Sequence, residues 1–254
     1  MLLAAQVTPS AAYKANAEEV LAKIGAVKVV PVIALDSADD AVPLAHALKY
    51  TRPTPPHPLP AAAASPASDR AARCRREGGI PIMEVTFRTD AAEDSLLALQ
   101  AAAIPGMCIG AGTVLTVEHA EAALAAGAEF VISPGVNPEV VSFCIDRDVP
   151  VFPGIATPTD IQAAMNLGCE TLKFFPAEAN GGIPTLTALA AVFSMVSFMP
   201  TGGITADNIA EYLAIPAVCA CGGTWMVKPD MIAAGDFAEI TSLSKEAVAA
   251  AGEA

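Results

Sequence analysis

Eight near-continuous apolar runs recur along the chain, each followed by a stretch with helical spacing. VKVVPVIAL (Val27 to Leu35), IPIMEVTF (Ile80 to Phe87), MCIGAG (Met107 to Gly112) and EFVISPG (Glu129 to Gly135) come first. PVFPGI (Pro150 to Ile155), TLKFFPA (Thr171 to Ala177), SFMPTGGI (Ser197 to Ile204) and AVCACGGTWM (Ala217 to Met226) follow. Runs without polar alternation are what parallel strands covered on both faces look like. The stretches between them carry helix punctuation. Thr116 to Gly127 starts on a capping hydroxyl and stops at a glycine, Thr159 to Leu167 ends the same way at Gly168, and Thr205 opens another helix. Strand and helix alternating eight times predict a (β/α)8 TIM barrel, a single domain over residues 1–254. An open doubly wound sheet is the alternative, but no strand is followed by the G-x-G-x-x-G turn of dinucleotide folds.

One segment breaks the rhythm. After the helical pattern Asp39 to Leu48, residues Lys49 to Glu77 hold six of the 21 prolines and six of the 14 Lys and Arg residues. This stretch has no core-forming pattern and is basic in an acidic chain, so it is predicted to be a disordered insertion at 49–77. A basic docking loop is the functional alternative.

Composition narrows the partners. A formal charge of −13 argues against a nucleic-acid or anionic-membrane surface. The hydrophobic fraction of 54% over 254 residues supplies a large core. No residue from Ala179 to Ala206 is charged, yet Pro184 and Pro200 bracket an apolar stretch too short to span a bilayer, which reads as a buried helix running into a buried strand. The N-terminus lacks the charged-then-apolar order of a signal peptide, so a soluble protein is expected. The six cysteines show no metal-ligand spacing and read as small core residues in a reducing compartment; His46, His57 and His119 are too isolated to make a zinc site with them.

Candidate chemistry collects at the strand ends, where barrels of this kind place their sites. Glu84, Thr86 and Arg88 share one face at period two. The later ends offer Thr113, then Pro134, then Lys173 with Phe175 two residues on, then Thr201-Gly202-Gly203, then Gly222-Gly223-Thr224. Lys173 is the anomaly, because lysine is almost never fully buried unless paired or put to use. It reads either as a barrel lysine paired with Glu84 for stability or as an amine nucleophile for a ketone. The two glycine turns after the last two strands match the usual barrel phosphate site. Lysine, carboxylate, arginine and a phosphate cradle together suit retro-aldol cleavage of a phosphorylated keto acid through a Schiff base. Lys173 condenses with the ketone, Glu84 moves protons and Arg88 clamps a carboxylate, with no metal or cofactor required.

The runs EVTFRT, IGAGTV, FVISPG, PGIATPTD, KFFPAEANGG, PTGGIT and GGTWMV, in that order, resemble the class I KDPG/KHG aldolases. The resemblance extends from about Ala17 to Gly252, leaving out the insertion. It implies a homotrimeric (β/α)8 barrel that cleaves 2-dehydro-3-deoxy-6-phosphogluconate to pyruvate and glyceraldehyde 3-phosphate, or 4-hydroxy-2-oxoglutarate to pyruvate and glyoxylate. It places the Schiff base on Lys173, the proton shuttle on Glu84, and Arg88 and Thr113 around pyruvate. Pro134 and Phe175 would line the pocket, with phosphate at Gly202, Gly203 and the residue after Gly223. That residue is commonly serine in the family and is Thr224 here. The family also passes from its first helix to GGIP by a short turn, so the insertion is a departure and reads as translated intron or a gene-model artefact. Two other functions fit the residues: the galactonate counterpart, and a phosphate-binding barrel isomerase or epimerase without a Schiff base. The expected compartment is the cytoplasm, with a soluble organelle as the alternative.

Overall fold

The computed structural model describes residues 8–50 and 79–252. The insertion predicted at 49–77 lies outside the described residues except for Lys49 and Tyr50. Lys49 is the buried last residue of a helix, so the pattern that ended at Leu48 runs one residue further.

The chain opens with a helix that the apolar-run pattern passed over, α1 (Ala11–Val27). Ser10 caps it by accepting the Tyr13 N–H, and Lys28 ends it in the left-handed region with its N–H on Ile24 O. The following elements are β1 (Val29–Ile33), a 3-10 turn (Ala38–Asp40), α2 (Ala41–Lys49), β2 (Ile82–Thr86), α3 (Ala92–Ala102), β3 (Cys108–Gly112), α4 (Val117–Ala125), β4 (Phe130–Ile132) and α5 (Pro138–Ile145). Then come β5 (Val151–Phe152), β6 (Gly154–Ile155), α6 (Pro158–Asn166), β7 (Thr171–Phe174), a 3-10 turn (Glu178–Asn180), α7 (Gly182–Val192) and β8 (Ser197–Phe198). The last are α8 (Ile209–Leu213), β9 (Cys221–Gly223), α9 (Pro229–Ala233) and α10 (Phe237–Gly252). Helix α6 starts on a reciprocal cap in which Thr157 accepts the Asp160 N–H and Asp160 accepts the Thr157 N–H, with Pro158 in the first turn.

All pairings are parallel. Six strands run in the order β5-β4-β3-β2-β1-β9 and three in the order β6-β7-β8, forming a curled α/β sheet of TIM-barrel type. Strands β5 and β6 belong to one predicted run, split at Pro153, which has no N–H to give a neighbour. The first half pairs with β4, and the second half with β7. The parallel bridge Phe198–Val218 runs from β8 to the segment before β9, and the bridge Thr201–Gly222 runs from the turn after β8 to β9 itself.

Every residue of β1, β2 and β7 is buried, as a sheet lined by helices outside and by side chains inside requires. Fully burying a large apolar side chain contributes roughly 1.5–3 kcal/mol, and Phe130, Phe174 and Phe198 are each fully buried. Helix α7 departs from the expected buried helix: Leu186 and Leu189 face inward, whereas Val192 is 70% exposed. Its apolar composition is therefore not a measure of its burial. Among the described residues no helix is long and apolar enough to cross a membrane.

The described chain on either side of residues 51–78 comes together. The Ile80 N–H donates to Leu48 O at 2.8 Å, so the C-terminus of α2 and the approach to β2 touch at the N-terminal end of the strands.

Candidate active site

Lys173 is 4% exposed in the middle of β7, and Glu84 is 1% exposed in β2. Lys173 Nζ donates to Glu84 Oε1 at 3.3 Å, across the interior, since β2 and β7 are not neighbours in either sheet. The Phe175 ring centroid lies 5.1 Å from the same Nζ, which places lysine and phenylalanine on one face as period two requires. Leu172 and Phe174, on the other face, are fully buried.

A cavity of about 300 Å³ opens over this pair at the C-terminal ends of the strands. Arg88, Thr113, Pro134, Lys173 and Phe175 line one part of it. Thr201, Gly202, Gly203, Gly223 and Thr224 line the other. The candidate substrate-contacting residues read from the sequence thus meet around one space, with Glu84 just beneath it on Lys173. Gly222, from the second glycine turn, lines it as well, and two further lining residues, Val32 and Ile204, are not among the candidates. Val32 and Ile204 sit in runs that are apolar throughout, where no alternation marks which side chains point inward.

The partners of these side chains follow from the strand ends. Thr86 donates its hydroxyl to Ile33 O at 2.7 Å, tying β2 to β1 from inside, and the Thr89 hydroxyl donates to Leu35 O. These two bonds flank Arg88, whose Nε donates to Thr113 Oγ1 at 3.4 Å. Thr113 has φ +56°, a left-handed conformation that a β-branched residue adopts at a cost of about 1–3 kcal/mol. Strain of this kind gathers where a side chain must be aimed, and here it turns the hydroxyl towards Arg88. Close packing reserves the space around the pair: a Cβ at Gly112 would lie 2.0 Å from Glu84 Oε1, and a Cβ at Gly222 would lie 2.4 Å from Thr201 Oγ1.

At the other end Gly202 and Gly203 have φ +99° and +82°, open to glycine at no steric cost. The backbone N–H groups of Gly202, Gly203 and Thr224 donate to no group among the described residues. A cluster of unpaired amides in glycine turns is suited to an oxyanion. The cavity therefore offers an enclosed amine with a carboxylate beside it at one end, a guanidinium on its rim, and anion-seeking amides at the other. Among the described residues no group of three or more His, Cys, Asp or Glu is arranged to hold a metal ion.

The sequence also matches known proteins. A family model described as KDPG and KHG aldolase matches residues 65–243. The 2-dehydro-3-deoxy-phosphogluconate aldolase of Treponema pallidum is 45% identical over 226 residues, covering 89% of this chain and 94% of that protein. The KHG/KDPG aldolase of Escherichia coli K12 is 38% identical, covering 93% of this chain and 96% of its own length. Among solved structures, the KDPG aldolase of Legionella pneumophila with pyruvate captured as a covalent carbinolamine intermediate is 36% identical. It superposes with a TM-score of 0.74 over 89% of this chain and 96% of that one.

Proposed function

We propose, from the premise that the chain belongs to the KDPG and KHG aldolase family, how its cavity performs the aldol cleavage. The enzyme is a class I aldolase, a carbon–carbon lyase. It splits 2-dehydro-3-deoxy-6-phosphogluconate into pyruvate and glyceraldehyde 3-phosphate, and 4-hydroxy-2-oxoglutarate into pyruvate and glyoxylate. The observation that carries the reading is the enclosed Lys173 Nζ, 3.3 Å from Glu84 Oε1, at the opposite end of the cavity from unpaired amides.

Glu84 takes a proton from the lysine ammonium, and the neutral amine adds to the ketone carbon. Glu84 returns that proton to the carbinolamine hydroxyl, which leaves as water and gives an iminium, and the carboxylate is a base again. Glu84 then removes the proton of the C4 hydroxyl. As the C3–C4 bond breaks, its electron pair moves into the iminium, forming an enamine and releasing the aldehyde. Protonation of the enamine at C3 by Glu84, followed by hydrolysis, frees pyruvate and the amine. Arg88, held on Thr113, clamps the carboxylate beside the ketone. Pro134 and Phe175 pack on the pyruvyl part. The phosphate falls on the amides of Gly202, Gly203 and Thr224, with the Thr224 hydroxyl as a further donor and Thr201 and Gly223 shaping the turns.

The finer architecture belongs to the same proposal. The bridges from β8 towards β9, together with the pairing of β9 to β1, support a closed (β/α)8 barrel with β5 and β6 acting as one strand. The chain is read as one domain over 1–254, soluble and cytoplasmic, working as a homotrimer on a small phosphorylated keto acid. Residues 49–77 are read as translated intron or a gene-model artefact, a reading that a mature transcript encoding them would end.

Borohydride reduction in the presence of pyruvate tests the chemistry. Wild-type protein should gain one pyruvyl adduct, mapped to the peptide carrying Lys173, and Lys173→Ala should gain none. Folded wild-type protein that acquires no adduct would sink the Schiff-base reading.

A further inference from the structure

Behind the glycine turn stands an assembly that the reaction does not use. After β7 the chain passes through Phe175, Pro176 and Ala177 to Glu178, running alongside Thr201 to Gly203. The Ala177 N–H donates to Thr201 O at 2.8 Å, and the Glu178 N–H to Gly202 O at 3.0 Å. Gly203 O accepts from Asn208 Nδ2 at 3.0 Å, while Asn208 Oδ1 accepts the Thr205 N–H at 2.9 Å. In a planar trans peptide the N–H points opposite to the C=O of the same unit. Fixing the Thr201 and Gly202 carbonyls on the Glu178 segment therefore aims the Gly202 and Gly203 N–H groups away from it, towards the cavity.

The Glu178 side chain continues this support: a Cβ at Gly203 would stand 2.4 Å from Glu178 Cγ. Its carboxylate is held in turn, because Tyr212, fully buried in α8, donates its hydroxyl to Glu178 Oε1. Burial first, and the neighbouring carboxylate second, push the Tyr212 phenol up, so it remains a donor throughout the neutral range. Released from Tyr212, the carboxylate would be an anion next to amides that seek one.

We propose that Tyr212 and Glu178 form a positioning pair that keeps the Gly202 and Gly203 amides aimed at the substrate's phosphate and keeps the Glu178 carboxylate from competing for them. Neither residue touches the substrate, and the inference rests on the aldolase reading above. It predicts a division of effects: damage to the pair weakens the phosphate end and spares the amine end.

The experiment compares wild type, Tyr212→Phe, Glu178→Ala and Glu178→Gln in two assays. One is KM and kcat with 2-dehydro-3-deoxy-6-phosphogluconate, with inorganic phosphate as a competitive inhibitor. The other is the rate of borohydride trapping of pyruvate on Lys173. Tyr212→Phe should raise KM and the phosphate inhibition constant together, by about tenfold, as expected for loss of a hydrogen bond to a charged group. Its kcat should stay within about twofold and its trapping rate should be unchanged. Glu178→Ala should match it, and Glu178→Gln, which keeps an acceptor for Tyr212 without the charge, should retain wild-type phosphate inhibition. Unchanged phosphate inhibition in Tyr212→Phe overturns the pairing role, as does a trapping rate that falls in proportion with it. Wild type that traps pyruvate but is indifferent to phosphate removes the phosphate end itself, and the inference with it. Wild type that traps nothing overturns the aldolase reading first.

Discussion

The carboxylate of Glu84 occupies the space that a side chain on Gly112 would need, with a Cβ there standing 2.0 Å from Glu84 Oε1. The two residues lie on adjacent strands, where Thr86 is the register partner of Gly112. Gly112→Ala should therefore push the carboxylate off Lys173 without removing either group. The expected result is a fall in kcat of about 10²–10⁴-fold, the usual contribution of a placed acid or base. Pyruvate trapping on Lys173 should persist at a reduced rate. Wild-type turnover in Gly112→Ala would mean that the position of Glu84 is immaterial.

The Lys173–Glu84 pair predicts opposite results for activity and stability. Removing one partner leaves a buried charge uncompensated, so Glu84→Leu should lose about 3–5 kcal/mol. Replacing both, as Lys173→Met with Glu84→Leu, should restore stability to the wild-type level or above it, because apolar packing does at least as well as a buried ion pair. Both variants should be inactive. Urea unfolding monitored by circular dichroism measures the difference; a double variant no more stable than Glu84→Leu would show that the pair stabilises the fold.

Excising residues 51–78 should leave the enzyme working. The flanking chain is already joined by the Ile80 N–H to Leu48 O bond, at the end of the strands remote from the cavity. A short Gly-Ser linker in place of these residues should leave kcat/KM within about twofold. It should also raise stability by about 1–2 kcal/mol through the smaller loop-closure entropy. A loss of turnover above tenfold would assign the segment a part in activity.

Alkaline pH should weaken the fold well before it ionises the native thiols. Burial pushes Cys108, Cys144 and Cys169 up to about 12 and Cys219 to about 11, and raises Cys221 as well. Unfolded thiols titrate near about 8.5. The unfolded chain thus releases protons first, and the stability these thiols give is complete below that value and is lost as pH rises through the native values. Each should remove up to about 1.4 kcal/mol per pH unit. Urea midpoints under reducing conditions should fall between pH 8 and 10.5; midpoints independent of pH would contradict the burial of these side chains.

Much of this arrangement is legible in the sequence, and the exceptions have physical causes. The apolar runs locate the strands, but Pro153 splits one of them, and Ser197 to Ile204 contracts to Ser197–Phe198 because Pro200 and the glycines leave a turn. Helix α1 carries a weak signal of its own, because its buried residues Tyr13, Val20, Ile24 and Val27 stand at helical spacing among Ala, Lys and Glu without forming an apolar run. Lys173, Glu84 and Arg88 stand out because charge in an apolar run demands an explanation. Val32 has no such contrast. The Tyr212–Glu178 contact joins residues 34 positions apart through an ordinary helix and an exposed turn, and no local pattern announces it.

The amides of Gly202, Gly203 and Thr224 give the proposed phosphate end an unusual inheritance. A grip made of peptide groups is written in no side chain, so the only residue whose substitution deletes one of its donors is proline, which has no N–H. What any other substitution can do is obstruct it, by adding a Cβ where Gly203 abuts Glu178 or where Gly223 lies under the Trp225 ring. Short of proline, variation at this end of the cavity is therefore a matter of steric gain, and drift in substrate preference falls to the neighbouring side chains, Thr224 first among them.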